Sequence, residues 1–418
     1  KGLVVWAEIP YITEHMPEAN DNTRLQLTEL VVQNHHHPSI FCWCLSNEIT
    51  AAGGVNPDMV ANHQALNQLC HRLDPTRPTT MAHAFMLDPA DPFVRLADLR
   101  CYNLYYGWYL GELEQNEQFL DDFHKQYPTL AIGLSEYGAD ANPAYQNEHP
   151  AKGDWSEGYQ CLYHEHMLAM WEARPYLWTM YAWNMFDFAA DGRDEGGKPG
   201  QNQKGLVTFD RKTKKDAFYL YKAYLSDDPF LHLCGRRYRD RTGEETEIKV
   251  YSNQPSVTLW VDGEERQTLT GHCVFRFRIP LTGEHQIEAR SGALSDAMTI
   301  RKVATPNPDY RYGGKNAVNW FDREDEILRE GYFSIRDSME SVRAVPAADA
   351  VIRELLEPAL MKMAASYGEV AQNVSMPESM QKMMNRMSIE GWMKQAARFV
   401  TPELVHRINH ALNQIPKP

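Results

Sequence analysis

Along the first half of the chain, mainly apolar runs alternate with stretches of mixed polarity. Residues 2–9, 39–45, 79–83, 99–105, 130–135 and 178–186 are strand candidates in which apolar side chains predominate overall and polar ones do not strictly alternate with them. Such runs predict strands buried on both faces, as in a parallel sheet covered by helices. Between them, residues 23–34, 57–73, 115–127 and 156–174 place apolar side chains at helical spacing and predict amphipathic helices. Strand and helix in alternation predict right-handed crossovers, in a doubly wound sheet or in a barrel. No glycine-rich phosphate loop follows any of these strands. That favours an α/β fold of the (β/α)8 TIM-barrel type, with six of its eight units present.

Beyond Asp228 the period shortens. Residues 246–251, 256–261, 273–279 and 285–290 alternate in the manner of half-buried strands, with Asp262-Gly263 and Thr282-Gly283 as turns. They predict an all-β, immunoglobulin-like sandwich over residues 229–303. Pro306, Pro308, Gly313 and Gly314 mark a linker over residues 304–333. Residues 334–418 read as short helices divided by Pro346, Pro358, Pro377 and Pro402, and predict a small α-helical C-terminal region with a methionine-filled core. The barrel is then residues 1–228. It opens at Lys1 directly on a buried strand, the pattern expected of a fragment cut inside a domain.

Charge narrows the partners. Asp and Glu number 56 against 42 Lys and Arg, a formal charge of -14, which argues against a nucleic-acid or anionic membrane surface. The seven cysteines are scattered without a disulfide or zinc-knuckle spacing and read as buried thiols. No run approaches the roughly 18 apolar residues of a membrane span, and no leader is visible. The expectation is a cytoplasmic protein, with secretion left open because the true N-terminus would lie upstream. Assembly into homo-oligomers is also left open.

Two of the buried strands end in glutamates, Ser46-Asn47-Glu48 and Leu134-Ser135-Glu136-Tyr137-Gly138. Strand C-termini are where barrels place chemistry, and a pair of carboxyl groups there suits glycoside hydrolysis, one protonating the leaving oxygen and one attacking. Glu48 follows Trp43, Cys44 and Leu45, whose bulk would desolvate it and favour its protonated form. Glu136 is the candidate that stays ionised.

These segments resemble glycoside hydrolase family 2, the β-galactosidase and β-glucuronidase family. His37-Pro38-Ser39-Ile40 through Asn47-Glu48 is similar to its acid/base segment, and Asn103-Leu104-Tyr105-Tyr106-Gly107-Trp108-Tyr109 to its strand-six signature. Ser135-Glu136-Tyr137-Gly138 resembles its nucleophile segment, and Trp183-Asn184-Met185-Phe186-Asp187-Phe188 its strand-eight segment. A departure stands at His36, where the family more often has Asn; it creates the run His35-His36-His37, a weak metal pattern. The resemblance implies barrel strands three to eight, with two strands and two preceding domains outside the chain.

It further implies a retaining mechanism, with Glu48 and Glu136 catalytic. Asn47, Asn103, Tyr105, Tyr109, Trp183, Asn202 and Lys204 would bind substrate. By the family match, Asn47 would bond the sugar 2-hydroxyl and Tyr105 would orient Glu136. Trp183 would face the sugar ring or pack the barrel. No cofactor or metal ligand set is read, although some relatives hold magnesium near the acid/base.

The run Met185 to Arg193 looks like the galactosidase version of strand eight, whereas Asn202-Gln203-Lys204 resembles the Asn-x-Lys loop with which glucuronidases grip the sugar carboxylate. Galactosidases with a similar strand eight can also carry that loop, and Lys204 sits among Lys198, Arg211, Lys212, Lys214 and Lys215 as a solvated lysine would. The reading is therefore a β-galactosidase, with a β-glucuronidase or related uronidase as the alternative and an inactive carbohydrate-binding fragment as the second.

Overall fold

In the computed structural model, which describes residues 4–52, 54–191, 193–314, 329, 331–366, 388–395 and 400–418, the chain divides into two units. Lys1–Asn103, Thr129–Gly133 and Val318–Pro418 make the first; Leu104–Pro128 and Leu134–Ala317 make the second.

The first unit is built around β3 (Ile40–Ala52), which pairs in parallel with β1 (Val5–Glu8), β2 (Ile12–Glu14) and β4 (Thr79–Ala84). Strand β4 in turn pairs in parallel with β5 (Arg100–Asn103). Cys42, Trp43, Cys44 and Leu45 are all fully buried, so both faces of β3 are covered, as its unbroken apolar run predicts. Helix α1 (Asn20–Asn34) packs against α2 (Pro57–Leu73), and α2 has the predicted bounds. Its start is marked locally: Pro57 supplies the first turn, and the Asn56 side chain accepts from the Met59 N–H. Strand β3 runs past the predicted residues 39–45 and carries Asn47 and Glu48 with it, while its register shifts between Cys44 and Asn47. Strand β2, three residues long, is too short to show a period and was not predicted.

The C-terminal helices gather Phe333, Ile335, Val342, Ile352, Leu356, Ile389, Ile408 and Leu412 into a core. Among the described residues Met339 and Met393 are its buried methionines; Met376, Met380, Met383, Met384 and Met387, on which the expected methionine-filled core also rests, lie outside them. Residues 367–387, with Pro377, lie outside the described residues, as do linker residues 315–328 and 330, together with Gly2, Leu3 and Gly192.

In the second unit, helices α3 (Glu114–Gln126), α4 (Glu157–Glu172) and α5 (Asp216–Leu225) accompany β6 (Ile132–Tyr137), whose first two residues belong to the other unit, and β7 (Leu177–Ala182). Strand β7 stops four residues short of its predicted end, and Trp183 to Phe186 continue as irregular backbone. Gly138 is required where the two chain segments meet: a Cβ there would lie 2.1 Å from the Trp183 carbonyl oxygen. A short antiparallel pair follows, β8 (Phe188–Ala189) with β9 (Gln201–Asn202).

Two further sheets then enclose one apolar core. Strands β10 (Leu231–Leu233), β12 (Glu245–Ser252) and β15 (Cys273–Pro280) form the smaller. The larger contains β11 (Asp240–Arg241), β13 (Ser256–Val261), β14 (Glu264–Thr270), β16 (Glu284–Ser291) and β17 (Leu294–Lys302). Ile248, Val250, Leu259, Phe275, Phe277, Ile287 and Ile300 fill the space between them. Asp262 and Gly263 both have positive φ, the hairpin turn that their dipeptide predicts. Strand β14 was not predicted because it is exposed along almost its whole length and has no apolar face to read.

Candidate active site

In the first unit, Asn47 and Glu48 lie on the distal half of β3. Glu48 is 3% exposed and has φ +47°, a left-handed backbone that costs a residue with a Cβ about 1 kcal/mol or more. Such strain persists where the surroundings hold it, and here the chain just before it is pinned. The His63 Nδ1–H donates to the Met59 carbonyl at 2.8 Å, leaving Nε2 to accept from the Ser46 hydroxyl at 2.9 Å. Asn103, at the end of β5, donates its amide to the Asn47 carbonyl oxygen at 3.0 Å. That bond fixes the orientation of the Asn47 side chain.

In the second unit, the Tyr105 hydroxyl donates to Glu136 Oε2 at 2.6 Å, a short charge-assisted bond that favours the ionised carboxylate. Tyr109 sits one helical turn on, its N–H bonded to the Tyr105 carbonyl at 3.2 Å and its ring centroid 5.2 Å from that of Tyr105. Trp183 is partly exposed, donates its backbone N–H to the Tyr137 carbonyl at 2.8 Å and meets Phe188 edge-on.

Lys204 is not the solvated lysine that its neighbours suggested. It is 1% exposed, and its ammonium donates to Asp140 Oδ2 at 2.6 Å and to the Tyr109 hydroxyl oxygen. Lys215 is also fully buried, bonded to the Ala141 carbonyl at 2.6 Å, the Gln203 carbonyl at 2.7 Å and Asp187 Oδ1 at 2.9 Å. Lys215 thereby ties three segments together and fixes the loop that carries Asn202 and Lys204. Only Lys198, Arg211, Lys212 and Lys214 of that basic run face solvent. Asn202 is buried too, and its side-chain oxygen accepts the Lys204 backbone N–H at 3.0 Å.

Three residues absent from the expected set, Asp140, Arg193 and Glu195, complete this cluster. Asp140 accepts from Lys204, from Trp108 Nε1 at 2.8 Å and from the Gln203 backbone N–H at 2.9 Å. Arg193 donates to the Tyr109 hydroxyl oxygen at 2.5 Å and to Glu195 Oε1 at 2.7 Å. Burial alone would raise the Asp140 carboxyl, yet the charges of Lys204 and Arg193 hold it below its ordinary value. Burial lowers the Lys204 ammonium to about 8 against the pull of Asp140. Burial raises the Tyr109 phenol, which therefore stays protonated. A signal for Asp140 was present, a carboxylate alone between Ala139 and Ala141; nothing local marks Arg193 or Glu195.

For metals, Asp216, His232 and Cys234 are the one group among the described residues with three ligand atoms within 4.8 Å of one another. The Asp216 carboxylate already accepts from the Gly235 N–H at 2.6 Å and lies 3.5 Å from Arg237, a neighbour that opposes a cation. His35, His36 and His37 do not form such a group. All seven cysteines are free and buried.

Residues 7–227 match the family model described as Glycosyl hydrolases family 2, TIM barrel domain. The chain belongs to glycosyl hydrolase family 2. Within this family it is 38% identical over 277 residues to a β-glucuronidase of Bacteroides fragilis, covering 63% of this chain and 39% of that protein. The β-glucuronidase of Canis lupus familiaris is 30% identical over 241 residues, 53% of this chain and 35% of that one. The family member therefore spans about two-fifths of the length of these curated relatives.

Among solved structures, an FMN-binding β-glucuronidase from Facaelibacterium prausnitzii L2-6 aligns with TM-score 0.72 and 45% identity, over 74% of this chain and 49% of the other. A putative β-galactosidase from Bacteroides fragilis aligns with TM-score 0.66 and 34% identity, over 72% and 46%. For this family 2 member, no described helix is long and apolar enough to cross a membrane.

Proposed function

We propose that this chain carries the catalytic residues of a retaining β-glucuronidase, in place of the β-galactosidase suggested by the run from Met185 to Arg193. The observation that carries the reading is the Asn-x-Lys loop. Asn202 and Lys204 are locked in one buried turn by the bond from the Lys204 N–H to the Asn202 oxygen, and an amide and an ammonium both donate. A sugar carboxylate accepts bonds from such donors; a hydroxymethyl group has no charge to engage a lysine. The named β-glucuronidases among the relatives support the same choice.

In this mechanism Glu136 attacks the anomeric carbon while Glu48 protonates the aglycone oxygen. Water, deprotonated by Glu48, then releases glucuronate from Glu136. Tyr105 holds the Glu136 carboxylate ionised and oriented before attack. Asn47, positioned by Asn103, meets the 2-hydroxyl, where bonds strengthen as positive charge develops. Trp183 offers its ring to the sugar. We read residues 1–228 as the catalytic segment, 229–303 as an immunoglobulin-like accessory sandwich, 304–333 as a linker and 334–418 as a helical appendage.

The test is covalent labelling with 2-fluoro-glucuronyl and 2-fluoro-galactosyl probes, followed by peptide mapping, on this chain and on the longest product of its gene. Glucuronyl label on Glu136 supports the reading. Galactosyl label alone overturns the substrate. No label on either product leaves a carbohydrate-binding fragment as the better account.

A further inference from the structure

Strand β2 meets β3 where the pairing of both is irregular. Ile12 is level with Asn47, the Tyr11 carbonyl accepts the Asn47 N–H at 3.0 Å, and Glu48 follows in its left-handed conformation. The buried Tyr11 side chain reaches the same segment through His63. Its ring stacks on that imidazole with 5.1 Å between centroids, and His63 accepts the Ser46 hydroxyl at 2.9 Å. One tyrosine therefore grips residues 46 and 47, by its backbone and by its ring.

Tyr11 is itself held. Its hydroxyl bonds His15 Nδ1, and His15 Nε2 lies 2.7 Å from Asp58 Oδ2 in the first turn of α2. Asn20 donates to the same oxygen at 3.0 Å, and Asn20 and His15 together hold the Asp58 carboxyl below its ordinary value. An ionised carboxylate only accepts, so His15 donates from Nε2, and in the neutral ring Nδ1 accepts from the phenol O–H. Burial raises the Tyr11 phenol, which keeps that proton. Between the two residues Thr13 has φ +68°, a left-handed turn that costs a β-branched residue about 1 kcal/mol or more and lets His15 fold back over Tyr11. The bonds run inward from a half-exposed carboxylate, through a buried histidine, to the ring that backs the acid/base segment.

We propose that Tyr11, latched by His15 and Asp58, is a positioning residue for the acid/base carboxyl, holding the strained backbone at Glu48 in the orientation that protonates the leaving oxygen. The inference rests on the role proposed for Glu48 and deepens it, whichever sugar the site takes. Tyr11 acts through Ser46 and Asn47 and needs no contact with substrate. A left-handed glutamate relaxes once its neighbours release it, and rotation about residues 47 and 48 re-aims the carboxyl. Attack depends on Glu136 and Tyr105, which are no part of this chain of bonds, so the effect falls on proton donation.

The experiment measures kcat/KM for phenyl and dinitrophenyl glycosides, as β-glucuronides and β-galactosides, on the longest gene product and its Tyr11→Phe, His15→Leu and His15→Gln variants. Phenolate leaves poorly and needs the proton; dinitrophenolate does not. Tyr11→Phe keeps the ring and the backbone but opens the latch, so the phenyl glycoside should slow about tenfold, the scale of one strong hydrogen bond, and the dinitrophenyl glycoside less than about twofold. His15→Leu should do the same and add little to Tyr11→Phe. His15→Gln, whose amide can accept from Tyr11 and donate to Asp58, should restore most of the phenyl rate. If Tyr11→Phe does not fold, the two His15 variants ask the same question. Equal losses on both aglycones, or His15→Gln no better than His15→Leu, overturn the proposal. Glu48→Ala separates it from its parent. If that variant loses both aglycones equally, the acid role of Glu48 fails and the inference with it. If it spares dinitrophenyl while Tyr11→Phe matches the unmodified protein on phenyl, this inference fails alone.

Discussion

Lys204 and Asp140 meet at 2.6 Å from 64 residues apart, each side chain 1% exposed. A buried ion pair is tolerated where both charges are fully hydrogen-bonded, and Asp140 accepts three donors. Removing one partner strands the other. Lys204→Met should therefore destabilise the protein by about 3–5 kcal/mol, seen as a lower Tm, and adding Asp140→Asn should recover most of it. A single variant as stable as the parent would contradict the pairing.

Lys204 also sets a pH limit. Its ammonium form dominates below about pH 8, and the groups facing it are Asp140, Arg193, Glu195 and Tyr109. Asp140 stays ionised and Tyr109 protonated there, so the charge that disappears as pH rises is that of Lys204. The KM for a glucuronide should climb above pH 8 by up to about tenfold per unit, and that for a neutral glycoside should not. Steady-state kinetics from pH 6.5 to 9.5 will decide; a flat glucuronide KM counts against the assignment.

Tyr105→Phe removes the 2.6 Å donor from Glu136. A hydrogen bond to a charged group contributes about 1.5–3 kcal/mol, so kcat should fall by roughly 10- to 150-fold. Labelling of Glu136 by a 2-fluoro probe should slow in parallel. If the label goes on at the parent rate, Tyr105 does not prepare the nucleophile.

Glu48→Ala should separate the two carboxyl roles. Loss of general acid catalysis costs about 10²–10⁴-fold for aglycones that leave poorly, and little for a dinitrophenyl aglycone that needs no proton. The glycosyl-enzyme should then accumulate, because deglycosylation lacks its base, and intact-mass measurement would detect it. Equal losses for good and poor leaving groups would remove Glu48 from the acid role.

The segment before Glu48 depends on a neutral histidine. Burial lowers His63 to about 4 from 6.5, so its neutral form is the one the fold accepts. Stability from this group is present above pH 6.5 and falls as pH drops toward 4, by an amount on the order of 3 kcal/mol at full protonation. His63→Gln should flatten the dependence of Tm on pH between 6.5 and 4. An unchanged slope would assign acid sensitivity elsewhere, to His83 or His164, which burial lowers to about 3.

Much of the fold is legible because it is local. Asn56, Pro57 and the spacing of Met59, Leu66 and Cys70 state a helix within a few turns, and Asp262-Gly263 states a hairpin within two residues. Strands without an apolar face, such as Glu264–Thr270, leave no such trace. The expected site residues were read for a different reason: each lies in a short segment that resembles a family motif, as with Asn47 beside Glu48.

What the sequence by itself determined is therefore the element types, the two glutamates at strand ends and the Asn-x-Lys loop. The tertiary structure alone decided what surrounds that loop. In the sequence Lys204 is one of several lysines in a basic stretch; in the fold it is buried against Asp140 and Tyr109, with Arg193 and Glu195 beside it. Period and spacing report only on neighbours within a few residues, whereas a charge is tuned by whatever the fold brings within a few ångströms. For Lys204 those partners come from up to 95 residues away.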